Sequence, residues 1–246
     1  MNYLETSAVL PPLQYDFRKM RSAVDALVRF TSDISAAFVN KEHLVCVFFD
    51  MMKAYDTTWR RGILNVVHDI GIRGSMAFFI VNFLQDRNFR TRVGQEFSNA
   101  HHQEEGVPQR NVLSCSLFSL AINNIITDLP RNILSSLCVD DLMIYLTSAN
   151  LPSLERRLQL AINKVSSWAT THGFTLSTNK TAAVHFNRKR GYAEPSLFLN
   201  NIMITMSPTA KFLGMILGQK LNWKEHIKRL KNNCMKRLNV LRCISV

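Results

Sequence analysis

The chain is expected to fold as an α+β domain around a short antiparallel sheet, and three observations lead there. Helical stripes and short strand signals follow one another along the 246 residues, with no internal repeat. The apolar run Leu44-Val45-Cys46-Val47-Phe48-Phe49 ends in Asp50, the pattern of a buried strand that delivers a carboxylate at its edge. Apolar residues flank Asp140-Asp141 on both sides, in Leu137-Cys138-Val139 and Leu142-Met143-Ile144-Tyr145, which reads as two strands joined by a tight acidic turn. A split β-α-β sheet with helices on one face places Asp50 and the Asp pair on adjacent strands, despite their distance in sequence.

The remaining elements follow in order. Residues 1–15 carry Pro11-Pro12 and no periodicity. Ser22 can cap a helix running to about Asn40, with Val24, Leu27, Val28 and Ile34 on one face. After the strand that ends at Asp50, Trp59 to Ile70 and Met76 to Gln85 read as helices, separated by Gly71-Ile72-Arg73-Gly74. Phe89 to Val93 alternates apolar and basic, a strand with Arg90 and Arg92 on one face. Gly106-Val107-Pro108 is a turn, and Asn111 to Asp128 a helix stopped at Pro130. Leu154, Leu158, Ile162, Val165 and Ala169 form a helical stripe closed by His172-Gly173. Short strands are expected near Ala182–Phe186, Leu197–Leu199, Ile202–Ile204 and Lys211–Ile216. Trp223, Ile227, Leu230, Cys234, Leu238 and Leu241 mark a final helix.

Composition narrows the function classes. Hydrophobic residues make up 47%, which excludes a disordered chain. The net charge of +12 points to a polyanionic partner, nucleic acid or an acidic membrane face. No apolar run approaches the length of a membrane span, so no membrane partner is expected. Three of the five cysteines lie in apolar runs and none forms C-x-x-C. With no signal peptide, this predicts buried thiols and an intracellular, reducing compartment, nucleus or cytoplasm. The histidines show no metal-ligand spacing, and His101-His102 cannot both face one site from a strand.

The acidic residues carry the chemistry. Three carboxylates on the ends of neighbouring strands can hold two divalent ions, which clamp the attacking and leaving oxygens of an in-line phosphoryl displacement. Mg²⁺ suits an all-oxygen set that leaves it several waters, and Mn²⁺ is an alternative. Asp50 and Asp140 are the candidate bridging ligands, and Asp141 a weaker or alternate one. An Asp-Asp pair by itself is more often a polar hairpin turn; Asp50 is what makes it a metal candidate. The last helix sets Lys224, Lys228, Arg229, Lys231, Lys236, Arg237 and Arg242 against Glu225. One apolar seam beside one basic face fits a helix that tracks a phosphate backbone, and Arg90 and Arg92 could add phosphate contacts. Asp56 is expected to cap the helix that contains Trp59.

The segment Phe48-Phe49-Asp50-Met51-Met52-Lys53-Ala54-Tyr55-Asp56-Thr57-Thr58-Trp59 resembles the first catalytic motif of reverse transcriptases from non-LTR retrotransposons, LINE-type and jockey-like. Gly106-Val107-Pro108-Gln109, Cys138-Val139-Asp140-Asp141, Gly173-Phe174 with Ser177-Thr178-Asn179-Lys180-Thr181, and Lys211-Phe212-Leu213-Gly214 resemble later motifs of that family in order. Gln14-Tyr15-Asp16-Phe17-Arg18 with Arg21-Ser22 resembles a fingers segment. The resemblance implies a polymerase palm with partial fingers (residues 1–42), a palm with inserted fingers helices (43–205), and a primer-grip hairpin with a first thumb helix (206–246). It implies RNA-directed DNA synthesis with two Mg²⁺, an RNA template, a DNA primer and deoxynucleoside triphosphates. Tyr55 becomes the steric gate against a 2′-hydroxyl, where local sequence alone also allows a core tyrosine. Gln109 is placed near nucleotide and template, where the bland alternative is a surface turn residue. Lys180 resembles a lysine proposed to protonate the leaving pyrophosphate, where the alternative is a solvated lysine.

The chain also departs from the pattern. Arg110 stands where a glycine follows Gly-Val-Pro-Gln, Cys115 where proline is usual, Cys138 where an aromatic precedes Val139-Asp140-Asp141, and Asp16 where the fingers segment has glycine. Upstream fingers strands are not seen before residue 14, and the thumb ends at Val246, so the expectation is a truncated, diverged copy that extends primers poorly. Two readings follow: a reverse transcriptase fragment, or a catalytically inactive nucleic-acid-binding remnant. The intact Asp triad favours the first and Arg110 the second.

Overall fold

A computed structural model describes residues 4, 9–11, 13–188, 191 and 193–244; the readings made for the other residues before Tyr15 and for Val246 lie outside them. Along the chain run α1 (Ala23–Val39), β1 (His43–Phe49), the single turn α2 (Ala54–Thr57), α3 (Arg60–Asp69) and α4 (Gly74–Leu84). Four two-residue strands follow: β2 (Asn88–Phe89), β3 (Arg92–Val93), β4 (Glu96–Phe97) and β5 (His101–His102). Then come α5 (Val112–Ile122), β6 (Leu134–Cys138), β7 (Asp141–Ser148), α6 (Leu151–Thr171) and β8 (Ala182–Phe186). The last part holds β9 (Phe198–Leu199), β10 (Ile202–Met203), β11 (Thr205–Met206), β12 (Thr209–Phe212), β13 (Met215–Gly218) and α7 (Lys224–Ile244).

A five-stranded sheet in the order β11-β8-β1-β7-β6 is the centre of the fold. The β1–β7 pair is antiparallel, from His43 opposite Ser148 to Phe49 opposite Leu142. β8 pairs antiparallel on the other side of β1, and β11 joins β8 in parallel. The strand β1 reads as a continuous apolar run because both of its faces are covered. Val45, Val47 and Phe49 join Ile144 and Leu146 in one core, under the α6 stripe Leu154, Leu158, Ile162, Val165 and Ala169 and under Leu117 and Phe118 of α5. This is the helical layer that the sequence predicts.

The opposite face is covered as well. Leu44, Cys46, Phe48, Met143, Tyr145, Val184 and Phe186 form a second core with Phe30, Ile34 and Ala37 of α1 and with Phe212 and Leu217 of the β12–β13 hairpin. Phe30 is fully buried, its ring 4.9 Å from Tyr145 and 5.5 Å from Phe186. Burying such a side chain stabilises the fold by about 1.5–3 kcal/mol. The Tyr145 hydroxyl, from the sheet, donates to Asp33 Oδ2 of α1 at 2.6 Å.

Several local expectations change. Ser22 does cap α1: its Oγ accepts from Asp25 N at 3.3 Å, and Asp25 Oδ2 accepts from Ser22 N at 2.7 Å. The buried face, however, is Ala26, Phe30, Ile34 and Ala37, and Val24 and Val28 are exposed. The bulk of Phe30 in the aromatic cluster sets the rotation of the helix. The expected helix from Asn111 to Asp128 ends at Ile122 and tightens into a 3₁₀ turn over Asn123–Ile126. There Asn123 Nδ2 donates to the Val9 carbonyl at 2.8 Å and Thr127 Oγ1 to Asn124 O at 2.8 Å, which competes with helical bonding.

The Phe89–Val93 strand does not form as one piece. β2 pairs with β5 and β3 with β4, so Arg90 falls at the joint and shares no strand face with Arg92. The final helix forms, but none of its described residues is buried. Its apolar seam is open, with Ile227 61% and Leu241 63% exposed. Its start is tied down where Trp223 packs on the second core and Ile216 N donates to His226 Nδ1 at 3.3 Å. Cys234 and Cys243 are therefore exposed, Cys115 is half-buried, and only Cys46 and Cys138 are the buried thiols expected. Among the described residues, no helix is long and apolar enough to cross a membrane.

Candidate active site

Asp50 follows the last residue of β1, and Asp140 sits in the turn between β6 and β7. Phe49 pairs with Leu142, so one further step along the ladder brings Asp50 and Asp141 to the same end of the sheet. The segment after α6 holds Asp50 in place. Ser177 N donates to Asp50 O at 2.8 Å, Asp50 N donates to Thr181 Oγ1 at 3.3 Å, and Met52 N donates to Thr175 O at 2.9 Å. That docking carries Lys180 Nζ to 3.7 Å from Asp50 Oδ2. Asp141 is raised above the usual carboxylate range, first by partial desolvation, then by the charges of Asp140 and Asp50, and Lys211 on β12 opposes this. The acidic residues thus sense one another at one end of the sheet. Among the described residues, no three His, Cys, Asp or Glu side chains close into a cage around an ion. The donors offered there are oxygens only, which suits hard divalent cations.

Beside this end lies a cleft of about 360 Å³ lined by Lys53, Tyr55, Asp56, Gln109, Arg110, Cys115 and Asp140, among others. It joins three of the site residues expected from the sequence, Tyr55, Gln109 and Asp140. The Tyr55 ring stacks on Phe118, centroids 4.5 Å apart and planes 14° from parallel. Burial and the Cys115 thiol hold its hydroxyl protonated well above the usual phenol range. The loop carrying Gln109 docks through backbone. Gly106 N donates to Thr58 O at 2.9 Å and Val107 N to Tyr55 O at 2.8 Å. Gly106 has φ +81°, and a Cβ there would lie 2.5 Å from the Asp56 carbonyl oxygen, so glycine is required by both conformation and space.

Gln109 Nε2 donates to Asp56 Oδ1 at 2.8 Å. Asp56 is therefore not the cap of α3; the capping position is Trp59, which makes no side-chain cap bond. A second cleft of about 590 Å³ shares Asp56 and Gln109 and runs on to Phe89, His102 and Glu105. Arg110 sits at φ +61°, in the left-handed region that favours glycine.

Arg90, Arg92, Lys224, Lys228 and Lys231 are exposed and do not line the cleft beside Asp140. Arg92 lies over the Phe97 ring at 5.5 Å. Three nearby residues carry no functional role in the sequence pattern. Lys53, at φ +48°, lines the cleft, and its signal was a cation three residues after Asp50. Lys211 acts on Asp141 from the hairpin. Asp16 stands beside the turn because residues 13–15 zip onto β6: Tyr15 N donates to Leu137 O at 3.1 Å and Leu137 N to Leu13 O at 3.1 Å. Burial, together with the Asp141 and Asp140 charges, pushes Asp16 up to about 6, while the neighbouring Cys138 thiol and Val139 backbone oppose this.

Residues 1–217 match the family model described as reverse transcriptase (RNA-dependent DNA polymerase). The chain is 27% identical over 242 residues to the probable RNA-directed DNA polymerase from transposon BS of Drosophila melanogaster, covering 95% of this chain and 26% of that protein. It is 25% identical over 233 residues to the RNA-directed DNA polymerase from the mobile element jockey of the same species, covering 92% and 25%. The chain thus spans about a quarter of the length of these curated relatives. Among solved structures, apo telomerase from Candida tropicalis truncated from its C-terminal domain aligns with a TM-score of 0.60 at 14% identity, over 91% of this chain and 42% of that one. That likeness shows the palm-type polymerase fold.

Proposed function

The chain belongs to the reverse transcriptase family, as a reverse transcriptase domain of the non-LTR retrotransposon kind, and from that premise we propose that its cleft performs RNA-templated addition of deoxynucleotides to a DNA primer. The observation that carries this reading is the meeting of Asp140 with Tyr55 and Gln109 in one cleft, at the sheet end where Asp50 and Asp141 also lie. Asp50, Asp140 and Asp141 would hold two Mg²⁺, or Mn²⁺, and these ions when bound supply Lewis-acid polarisation and alignment of the attacking and leaving oxygens. Tyr55, braced by Phe118, closes the cleft under the sugar and leaves no room for a 2′-hydroxyl. Gln109, held by Asp56, orients nucleotide and template. Lys180 is mostly exposed and free to swing from Asp50 towards the leaving pyrophosphate as its proton donor. Lys224, Lys228 and Lys231 on α7, with Arg90 and Arg92, contact the phosphates of an RNA–DNA hybrid.

One observation favours the second reading, a silent nucleic-acid-binding remnant: Arg110 brings a long cation and a strained backbone to the nucleotide cleft. Primer extension on poly(A)–oligo(dT) decides between them. Slow extension that Asp140→Asn abolishes and Arg110→Gly speeds up supports the enzyme. Extension by wild type and Asp140→Asn at equal rates removes the proposed roles of the carboxylates. Hybrid binding without extension, by both wild type and Arg110→Gly, establishes the remnant. In either case, hybrid binding weakens with salt, with a log–log slope of about −0.7 to −0.9 per phosphate contact. A flat response between low and moderate salt would contradict the basic-helix contacts.

A further inference from the structure

The cleft of about 590 Å³ carries none of the chemistry described above, yet it opens on residues that do: it shares Asp56 and Gln109 with the cleft that Asp140 lines. We propose that this second cleft and the hairpins β2–β5 and β3–β4 hold the unpaired template strand just ahead of the active site, with Phe89 and Phe97 stacking its bases. What the strand is rests on the polymerase reading above; the stacking surface itself stands on geometry.

A template base that pairs beside Gln109 belongs to a strand that runs on past it, and the shared wall makes the second cleft its continuation. That wall is firm. Gly106 and Val107 dock by backbone on Thr58 and Tyr55, and Arg60 Nε donates to Gly106 O at 2.9 Å. Phe89 of β2 also lines the cleft; β2 pairs with β5 so that Phe89 stands opposite His101, ring centroids 5.7 Å apart. The β3–β4 hairpin is nested between these strands and carries Phe97, with the Arg92 guanidinium 5.5 Å from its ring centre. Phe89 is 51% and Phe97 60% exposed, although burial of either ring would be favourable. Neither ring joins the cores described above. From Arg87 to Gln103 the chain carries Arg87, Arg90 and Arg92 against the single acid Glu96. Rings interleaved with cations suit single-stranded nucleic acid, which needs a π-face for its bases and positive charge for the backbone between them. Glu104 and Glu105, which also line the cleft, select the orientation. They repel phosphates and tolerate neutral bases, so the backbone runs along the arginines and the bases turn inward. The phosphate contacts given above to Arg90 and Arg92 then fall on the template strand as it enters the hybrid.

The test measures binding by the full chain without metal ion or nucleotide, so no turnover enters it. Two RNA–DNA hybrids share one duplex; one is blunt, and the other extends the RNA by a short unpaired 5′ segment. Wild type should prefer the extended hybrid by on the order of tenfold, the worth of a stacked base. Phe89→Ala should lose most of that preference and Phe97→Ala part of it, with affinity for the blunt hybrid unchanged. Phe89→Trp should keep it, and so should Phe198→Ala, which removes an exposed ring on β9 outside both clefts. A fluorescent purine analogue at the first unpaired position should be quenched by wild type and not by Phe89→Ala. Equal affinity of wild type for the two hybrids, or an undiminished preference in Phe89→Ala, overturns the proposal. So does an abasic extension that binds as well as the ordinary one, since charge alone then accounts for the preference. The polymerase reading fails separately. No primer extension, with the Phe89-dependent preference intact, refutes polymerisation and supports the stacking surface. Primer extension by a chain whose Phe89→Ala variant keeps the full preference supports polymerisation and refutes the stacking surface.

Discussion

The two ends of the β1–β7 ladder both gather titratable groups, and they treat them in opposite ways. At one end Asp50, Asp140 and Asp141 stay partly or largely open to solvent beside a cleft, with Lys180 and Lys211 near enough to answer their charge. At the other end His43 Nδ1 and His185 Nε2 lie 3.0 Å apart, with Asn187 Nδ2 3.2 Å from His43 Nδ1, and His185 is fully buried. Desolvation penalises charge at both ends. The open end tolerates this because water and cations share the load, and its carboxylates keep contact with solvent. The sealed end keeps its histidine neutral: burial first, and then His43, bring His185 down from 6.5 to about 4. Charge near a surface can serve chemistry, whereas the same kind of group deep in the sheet serves packing.

Substitutions that break the contrast should differ in what they cost. The largest effect is expected at the open end. Asp140→Asn should reduce primer extension by roughly 10³-fold, because metal stabilisation is worth several kcal/mol and each 1.36 kcal/mol is tenfold. Its unfolding free energy should not fall, since one of the charges that raises Asp141 is removed. A large loss of stability in urea titrations would mean that the turn is a structural element first.

The next effect belongs to the sealed end. Between pH 6.5 and about 4 the unfolded chain takes up a proton that folded His185 refuses. The unfolded state then binds more protons, so stability falls as pH drops through that window. The cumulative loss is about 3 kcal/mol at most, and this group adds nothing further below its folded value. Urea unfolding of wild type and His185→Gln at neutral pH and at pH near 4.5 isolates the effect: the variant should show the shallower loss. Parallel pH profiles would mean that the histidine pair is not buried as described.

A smaller effect sharpens the picture at the open end. Arg110→Gly relieves a left-handed backbone and should gain about 1 kcal/mol of stability. A drop in the unfolding midpoint would show that the guanidinium makes a stabilising contact that outweighs the strain.

Sequence alone was enough wherever the signal is local and periodic. The apolar run into Asp50, the acidic hairpin, the Ser22 cap and the α6 stripe are each written within a few turns or strand residues, and they form as read. The same patterns placed Asp50 beside the Asp pair, because buried strands of matched apolar character pair with few alternatives. Tertiary contacts decided the rest. Which face of α1 is buried depended on the room for Phe30 in the aromatic cluster, and of the expected face Val24, Leu27, Val28 and Ile34 the two valines stayed outside. The Phe89–Val93 alternation broke because its halves found different partners, and the α7 seam stayed open because a periodic stripe specifies a face but not what covers it. Asp56 turned from helix cap to partner of Gln109, and Asp16 came to lie beside the Asp140 turn, through contacts between residues far apart in the chain. Local propensity fixes elements and their apolar faces; positions that depend on loop closure and on competition for hydrogen-bond partners are settled only when the whole chain packs.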